Sequence, residues 1–138
     1  MDAHPYIVHF PIALIILAFF YQCLTVFMPS RLPAQLTLWA LVPGVLATIP
    51  AVLTGEKAEE SLTDIPEEIH DLIETHELFA NITTWGGITL VCVWLFLVMK
   101  KVDNKQVQLL LFAFLGRLFA SVCTTGYIGG QLVHIHDI

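Results

Sequence analysis

Residues 4–28 read HPYIVHFPIALIILAFFYQCLTVFM, a run without a single Asp, Glu, Lys or Arg. Roughly 20 apolar residues cross the hydrocarbon core of a bilayer as a helix, so this run is long enough to span, at about 6–28. Three more apolar runs follow at about 36–54, 78–99 and 107–133. In lipid the backbone must satisfy its own hydrogen bonds, and each run is therefore read as a helix. The expected fold is an all-α integral membrane protein, a single domain over 1–138 built as a four-transmembrane-helix bundle.

Composition agrees with that reading. Hydrophobic residues make up 57% of the 138 and charged residues only 13%, with a mean hydropathy of +0.76. A soluble domain of this size has too little interior to hide so much apolar surface. Cys23, Cys92 and Cys123 all fall inside the apolar runs. An odd number at such positions argues against a disulfide framework. No CxxC or CxxCH occurs, which excludes a cysteine zinc knuckle and covalent c-type haem. The first run lacks a basic leader and is too long for a cleavable signal peptide. GxSxG, HExxH, P-loop and GxGxxG motifs are absent, so an electron carrier or complex subunit is expected before a stand-alone enzyme. The net charge of -6 leaves no footprint for nucleic acid.

The charges also orient the spans. Arg31, Lys100, Lys101 and Lys105 lie in the two short connections on one side, opposed only by Asp103. The termini and the 55–77 loop carry every other acid of the chain's 12, with Lys57 as the one basic residue. By the positive-inside rule the short connections are cytoplasmic. The expected placement is a multi-pass protein of the bacterial inner membrane, N-out and C-out, with both termini on the periplasmic side.

That topology gathers all 6 histidines at one membrane face. His4 and His9 head the first span, His70 and His76 precede the third, and His134 and His136 close the fourth. The segment DIPEEIHDLIETHELFAN (64–81) reads as an outer helix leading into the third span, with Asp64 as N-cap, Pro66 in the first turn and Glu67 completing a capping box. Its apolar stripe of Ile65, Ile69, Leu72 and Ile73 continues onto His76 and Ala80, so His76 faces inward while His70 is a surface residue. His9, beside Pro11, is expected just below the interface on the face of Ile12, Ala13 and Ile16, with His4 at the interface itself. His134 and His136 stand two apart and face different ways, His136 nearer the polar stripe of Arg117, Ser121, Thr124 and Thr125.

The cofactor ligands expected are therefore His9, His76 and His136 with His4, and His70 and His134 are secondary candidates. Phe10, Phe79, Tyr127 and the glycines around Gly126 are expected to line the slot. Gly116, Ala120 and Thr124, and Gly126 with Gly130, have the spacing of close helix packing. Pro43 and Pro50 should kink the second span. Arg117 sits deep in the fourth span with no acid in any span to pair with, which makes it a candidate for a quinone or lipid headgroup. Its plainer reading is a side chain that snorkels or bonds Ser121.

The opening HPYIVHFPIAL resembles the signature start of a domain-of-unknown-function family of small four-helix bacterial membrane proteins. Further resemblance lies in His76 with Asn81 at the start of the third span, and in GGQLV (129–133) followed by His136. The likeness covers nearly the whole chain. Some members are joined to cytochrome c-type domains, which implies a redox setting. The long acidic loop with His70, and His134, depart from the family pattern.

Three functions are open on this reading. The first is a b-type cytochrome-like electron-transfer protein, with haem b held by imidazoles from two helices. The second is a non-haem Zn, Cu or Fe site, helped by His70 and by Glu67, Glu68, Asp71, Glu74 and Glu77. The third is a cofactor-free accessory subunit of a larger redox complex, docking a basic periplasmic cytochrome on its acidic face. Membrane lipid is a partner in all three.

Overall fold

The computed structural model describes residues 4–29, 35–63 and 65–135. Helices α1 (His4–Ile7), α2 (His9–Phe27), α3 (Leu36–Glu59), α4 (Glu67–Met99) and α5 (Lys105–Ile135) account for nearly all of them, and no strand occurs among the described residues. With α1 and α2 counted as one, 4 helices are long and apolar enough to cross a membrane. The interruption at Val8 has a covalent cause. Pro11 has no N–H, so the carbonyl of Ile7 loses its donor four residues on. Val8 itself keeps helical angles, φ -63 and ψ -25, and its N–H still reaches His4 O at 3.1 Å.

The acidic 55–77 segment is helix at both ends, as expected of its second half and in contrast to the loop expected after Thr54. α3 continues through Glu59 and α4 starts at Glu67, leaving 60–66 as the connection. Glu, Lys and Ala are good helix formers, so the helix outlasts the drop in hydropathy that marked Thr54 as its end. The expected capping box is also corrected. Pro66 is the N-cap, with an extended ψ of 146, and Asp64 lies outside the described residues. Pro43 and Pro50 are both carried inside an unbroken α3, where neighbouring groups in a bundle accommodate the freed carbonyls. The 33 residues of α4 extend about 50 Å at 1.5 Å each, against a core of about 30 Å. The helix is thus longer than a crossing needs, with its charged residues at the Glu67 end and its apolar stretch at 78–99.

Each long helix packs on its chain neighbours, and α2 closes the ring against α5. The central core is Ile15, Leu41, Val45, Leu90, Trp94, Leu115, Leu118 and Val122. Close approach depends on glycine at two crossings. A Cβ on Gly44 would stand 3.0 Å from Leu14 Cβ, and one on Gly87 2.8 Å from Val45 Cγ2. At the end opposite the histidines, fully buried Gln22 clasps three helices. Its amide donates to Gln108 Oε1 at 2.8 Å and its carbonyl accepts from Thr37 Oγ1 at 3.1 Å. Toward the middle, Thr83 and Ser121 join α4 to α5 through a 2.8 Å hydroxyl pair. Ser121 is thus engaged there and not with Arg117.

The α4–α5 turn is defined by caps the spans do not reveal. Val102 N–H bonds Leu97 O and Lys101 N–H bonds Val98 O, both at 3.0 Å, the paired closure that normally puts glycine at the left-handed position. Here Lys101 holds it, at φ 54. Asn104 Oδ1 then caps α5 by accepting from Val107 N–H at 3.0 Å. Lys101→Gly should raise stability by about 0.5–1 kcal/mol, since glycine adopts this conformation without the Cβ penalty. A denaturant titration of the two proteins in one detergent measures it.

Candidate histidine site

His4 and His76 are brought together at one end of the bundle. Their ring centroids are 6.4 Å apart with planes at 84°. His76 projects from α4 and its Nδ1 lies 3.1 Å from the backbone carbonyl of Thr125 on α5. A carbonyl only accepts, so Nδ1 carries the proton and Nε2 is the unprotonated nitrogen of the neutral ring. His4 Nδ1 lies 3.1 Å from Thr54 Oγ1 on α3. The Thr54 hydroxyl already donates to Pro50 O and Ala51 O, at 2.8 and 3.0 Å. Its lone pair therefore takes the His4 Nδ1 proton, setting the same tautomer. Glycine makes room for both rings: a Cβ at Gly55 or at Gly129 would stand 3.0 Å from Cε1 of His4 or His76 respectively.

Beside the pair opens a cavity of about 480 Å³ walled by all four spans. Thr48, Thr84 and Val122 lie at its deep end, Ala51, Ala80 and Gly126 along its walls, and Glu56, Glu59, Glu77 and His134 toward its rim. The hydroxyl of Thr84, a residue only 7% exposed, has no hydrogen-bond partner among the described residues. A buried donor left open in a cavity is suited to a ligand's acceptor atom or a bound water.

The remaining histidines separate. His9 is exposed at the cavity edge and its Nδ1 is bonded to Pro5 O. His134 is exposed at the rim, and His136 lies outside the described residues. His70 stands away from the cavity, 3.5 Å from Glu74 on its own helix. Asn81 borders the cavity, whereas Arg117 faces a different groove, between α4 and α5. The aromatic lining expected from sequence is not there. Phe10 and Tyr127 are 70% and 69% exposed, and Phe79 packs on the cluster of Ile73, Ile128 and Leu132. Small side chains line the cavity instead, because residues at the phase of His76 on neighbouring helices must leave volume open.

His4 ranked low in sequence because the first span was phased on His9. The buried positions of α2 are Pro11, Ile15, Ala18 and Gln22, a three-four alternation. Extended back by seven residues that stripe reaches His4, while His9 falls on the opposite side. The burial pattern of one helix thus contained the signal.

At the rim, Glu77 and Glu59 share a hydrogen bond, which two carboxylates make only by keeping a proton between them. That bond, burial, and the charges of Glu59, Glu56 and Glu74 push Glu77 up to about 7. Glu77 precedes the crossing segment and titrates in water-accessible surroundings. A folded value above the unfolded one means the folded protein binds the extra proton, so this contribution is full below pH of about 4.5 and is lost as pH rises through about 7. The expected result is a falling thermal midpoint between pH 5 and 8, with a flatter profile in Glu77→Gln, which keeps a hydrogen-bonding amide and does not titrate. Equal slopes in the two proteins would remove the shared proton from the account.

Comparison with known proteins places the chain in a family. Residues 1–138 match the model of the family described as "Predicted membrane protein (DUF2231)", and the chain belongs to it. No curated protein and no solved structure matches.

Proposed function

We propose that this chain is a b-type membrane cytochrome that holds haem through His4 and His76 and passes electrons at the histidine-rich end of the bundle. The spacing of the two imidazoles carries the reading. A metal-bound imidazole has its nitrogen about 2 Å and its ring centre about 3 Å from the metal, so two rings across one iron stand about 6 Å apart. The 6.4 Å between His4 and His76 agrees with that. Ligating histidines characteristically donate their other ring N–H to a carbonyl or comparable acceptor, which fixes the tautomer. Thr125 O and Thr54 Oγ1 supply those acceptors.

The number of donors favours haem over a bare ion. Zinc or copper needs three or four side-chain ligands, and among the described residues no group of three His, Cys, Asp or Glu converges. A haem iron needs only two, because the macrocycle supplies the rest. Bound there, haem would supply one-electron oxidation and reduction, at a potential set by its ligands and burial. The chain's own part is to present two imidazoles, to exclude water with the aliphatic wall, and to offer the Thr84 hydroxyl to an acceptor.

On this reading the histidine-rich end faces the periplasm from the inner membrane, N-out and C-out; the basic residues of the opposite connections support it. The acids around it suit a basic soluble cytochrome as electron partner, with steering that weakens as salt rises. A membrane quinol is the partner from the lipid side.

The test is to purify the intact protein in mild detergent from cells able to supply haem and to record oxidised and reduced visible spectra, with haem and metal analysis on the same sample. Sharp reduced bands with about one haem per chain are expected for one bis-histidine site. A colourless protein carrying stoichiometric zinc, copper or non-haem iron would replace the reading with a metal site. A colourless and metal-free protein would leave an accessory subunit.

A further inference from the structure

A second hollow opens on the lipid-facing side between α4 and α5, with a volume of about 640 Å³. Its walls are apolar, from Trp85 to Leu97 on α4 and from Leu118 to Val107 on α5, and one charge enters it, Arg117. Asp and Glu are absent from 6–28, 36–54, 78–99 and 107–133, so nothing within the crossing segments neutralises that guanidinium. Among the described residues Arg117 has no ion-pair partner; the one salt bridge joins His70 and Glu74. Side chains on a helix tilt toward its N-terminus, which for Arg117 is the Lys105 end of α5. At that end the groove runs out between Leu97 and Val107, directly into the turn bearing Lys100, Lys101 and Lys105. Lys100 Nζ lies over the Phe96 ring, 5.7 Å from its centroid. The turn's single acid, Asp103, accepts a hydrogen bond from Gln108 Nε2 at 2.9 Å.

We propose that the α4–α5 groove binds an anionic phospholipid of the leaflet bordering that turn. One acyl chain lies in the apolar channel, the phosphate stands at the turn that bears Lys100, Lys101 and Lys105, and the Arg117 side chain extends along the channel toward it. Basic pockets between transmembrane helices take anionic headgroups in this way, and an exposed intramembrane arginine with no carboxylate beside it is suited to an anionic partner. A zwitterionic lipid fills the same channel but brings no net charge to offset the four cations.

The experiment is native mass spectrometry of the intact protein in mild detergent, titrated in parallel with phosphatidylglycerol and phosphatidylcholine. One retained phosphatidylglycerol at concentrations where phosphatidylcholine is lost is expected. Arg117→Gln should weaken phosphatidylglycerol retention about fivefold, the contribution of one basic side chain near an anionic surface. Gly86→Leu should weaken it as well by filling the groove. A Cβ at this position meets only Leu118 Cδ1, at 3.8 Å, an ordinary contact. Should Arg117→Gln fail to fold, replacement of Lys100, Lys101 and Lys105 by Gln alters only the turn and is expected to weaken retention in its place. Equal retention of both lipids, unchanged retention in these variants, or displacement of phosphatidylglycerol by a quinone at equal concentration would overturn the proposal. Haem content does not enter this measurement, so the groove and the histidine site stand or fall separately.

Discussion

His76→Ala is expected to abolish haem binding, and His4→Ala to do the same, while His70→Ala retains the full spectrum. The two inner rings project from different helices into one space, 6.4 Å between centroids, whereas His70 is surface-exposed beside Glu74. If haem is held as proposed, removing either imidazole would take away one of the two side chains that hold it. The second-sphere contacts give a graded series below that extreme. Gly129→Ala puts a methyl 3.0 Å from His76 Cε1 and turns the ring away from Thr125 O, so a partial loss of haem with a shifted spectrum is expected. Thr54→Val removes the acceptor of the His4 Nδ1–H and leaves the ring in place, a change that should shift the potential more than the haem content. His9→Ala is the informative control. A haem spectrum that survives His4→Ala and disappears in His9→Ala would give His9 the role in holding haem proposed for His4.

The spans were legible because hydropathy acts over twenty residues at a time and tolerates local error. Arg117 did not hide the fourth span, nor did Pro43 and Pro50 hide the second. What hydropathy does not report is where a helix stops once it leaves lipid. Thr54 and Leu78 bound the apolar composition, while the helices run to Glu59 and back to Glu67, held by local propensity and by packing of Leu62, Ile65 and Ile69 on the Ile73 cluster. The inward phase of His76 was readable from the stripe of Ile65, Ile69, Leu72 and Ile73, in which Ile73 is buried and the other three pack on its cluster. The partners of the histidines were not. Thr54 and Thr125 offer an acceptor at the right height only after α3 and α5 are packed, and no spacing within α1 or α4 announces them. The same holds for the pairing of Glu59 with Glu77, which joins residues from separate helices.

Two close helix crossings give the second large effect, and it differs in kind between their glycines. Gly87→Ala is expected to lower stability by about 1–3 kcal/mol, the usual range for overpacking a filled interior. Its new methyl would stand 2.8 Å from Val45 Cγ2, closer than van der Waals contact allows. The obstruction is a side-chain methyl, so Val45→Ala in the same chain removes it. The double variant should therefore be more stable than the sum of the single changes by about 1 kcal/mol, within the coupling expected of residues in contact. Gly44→Ala presents a different obstacle. There the nearest atom is Leu14 Cβ at 3.0 Å, and truncating Leu14 to Ala leaves that Cβ where it was. No rescue is expected, because only a shift of α2 relative to α3 makes room, and α1 with His4 rides on the same helix pair. Denaturation in a mixed detergent series gives the stabilities, and the haem spectrum of Gly44→Ala reads the helix shift at the site. Rescue of Gly44→Ala by Leu14→Ala, or its failure for Gly87→Ala with Val45→Ala, would show that these helices yield at the crossings instead of being held there by glycine.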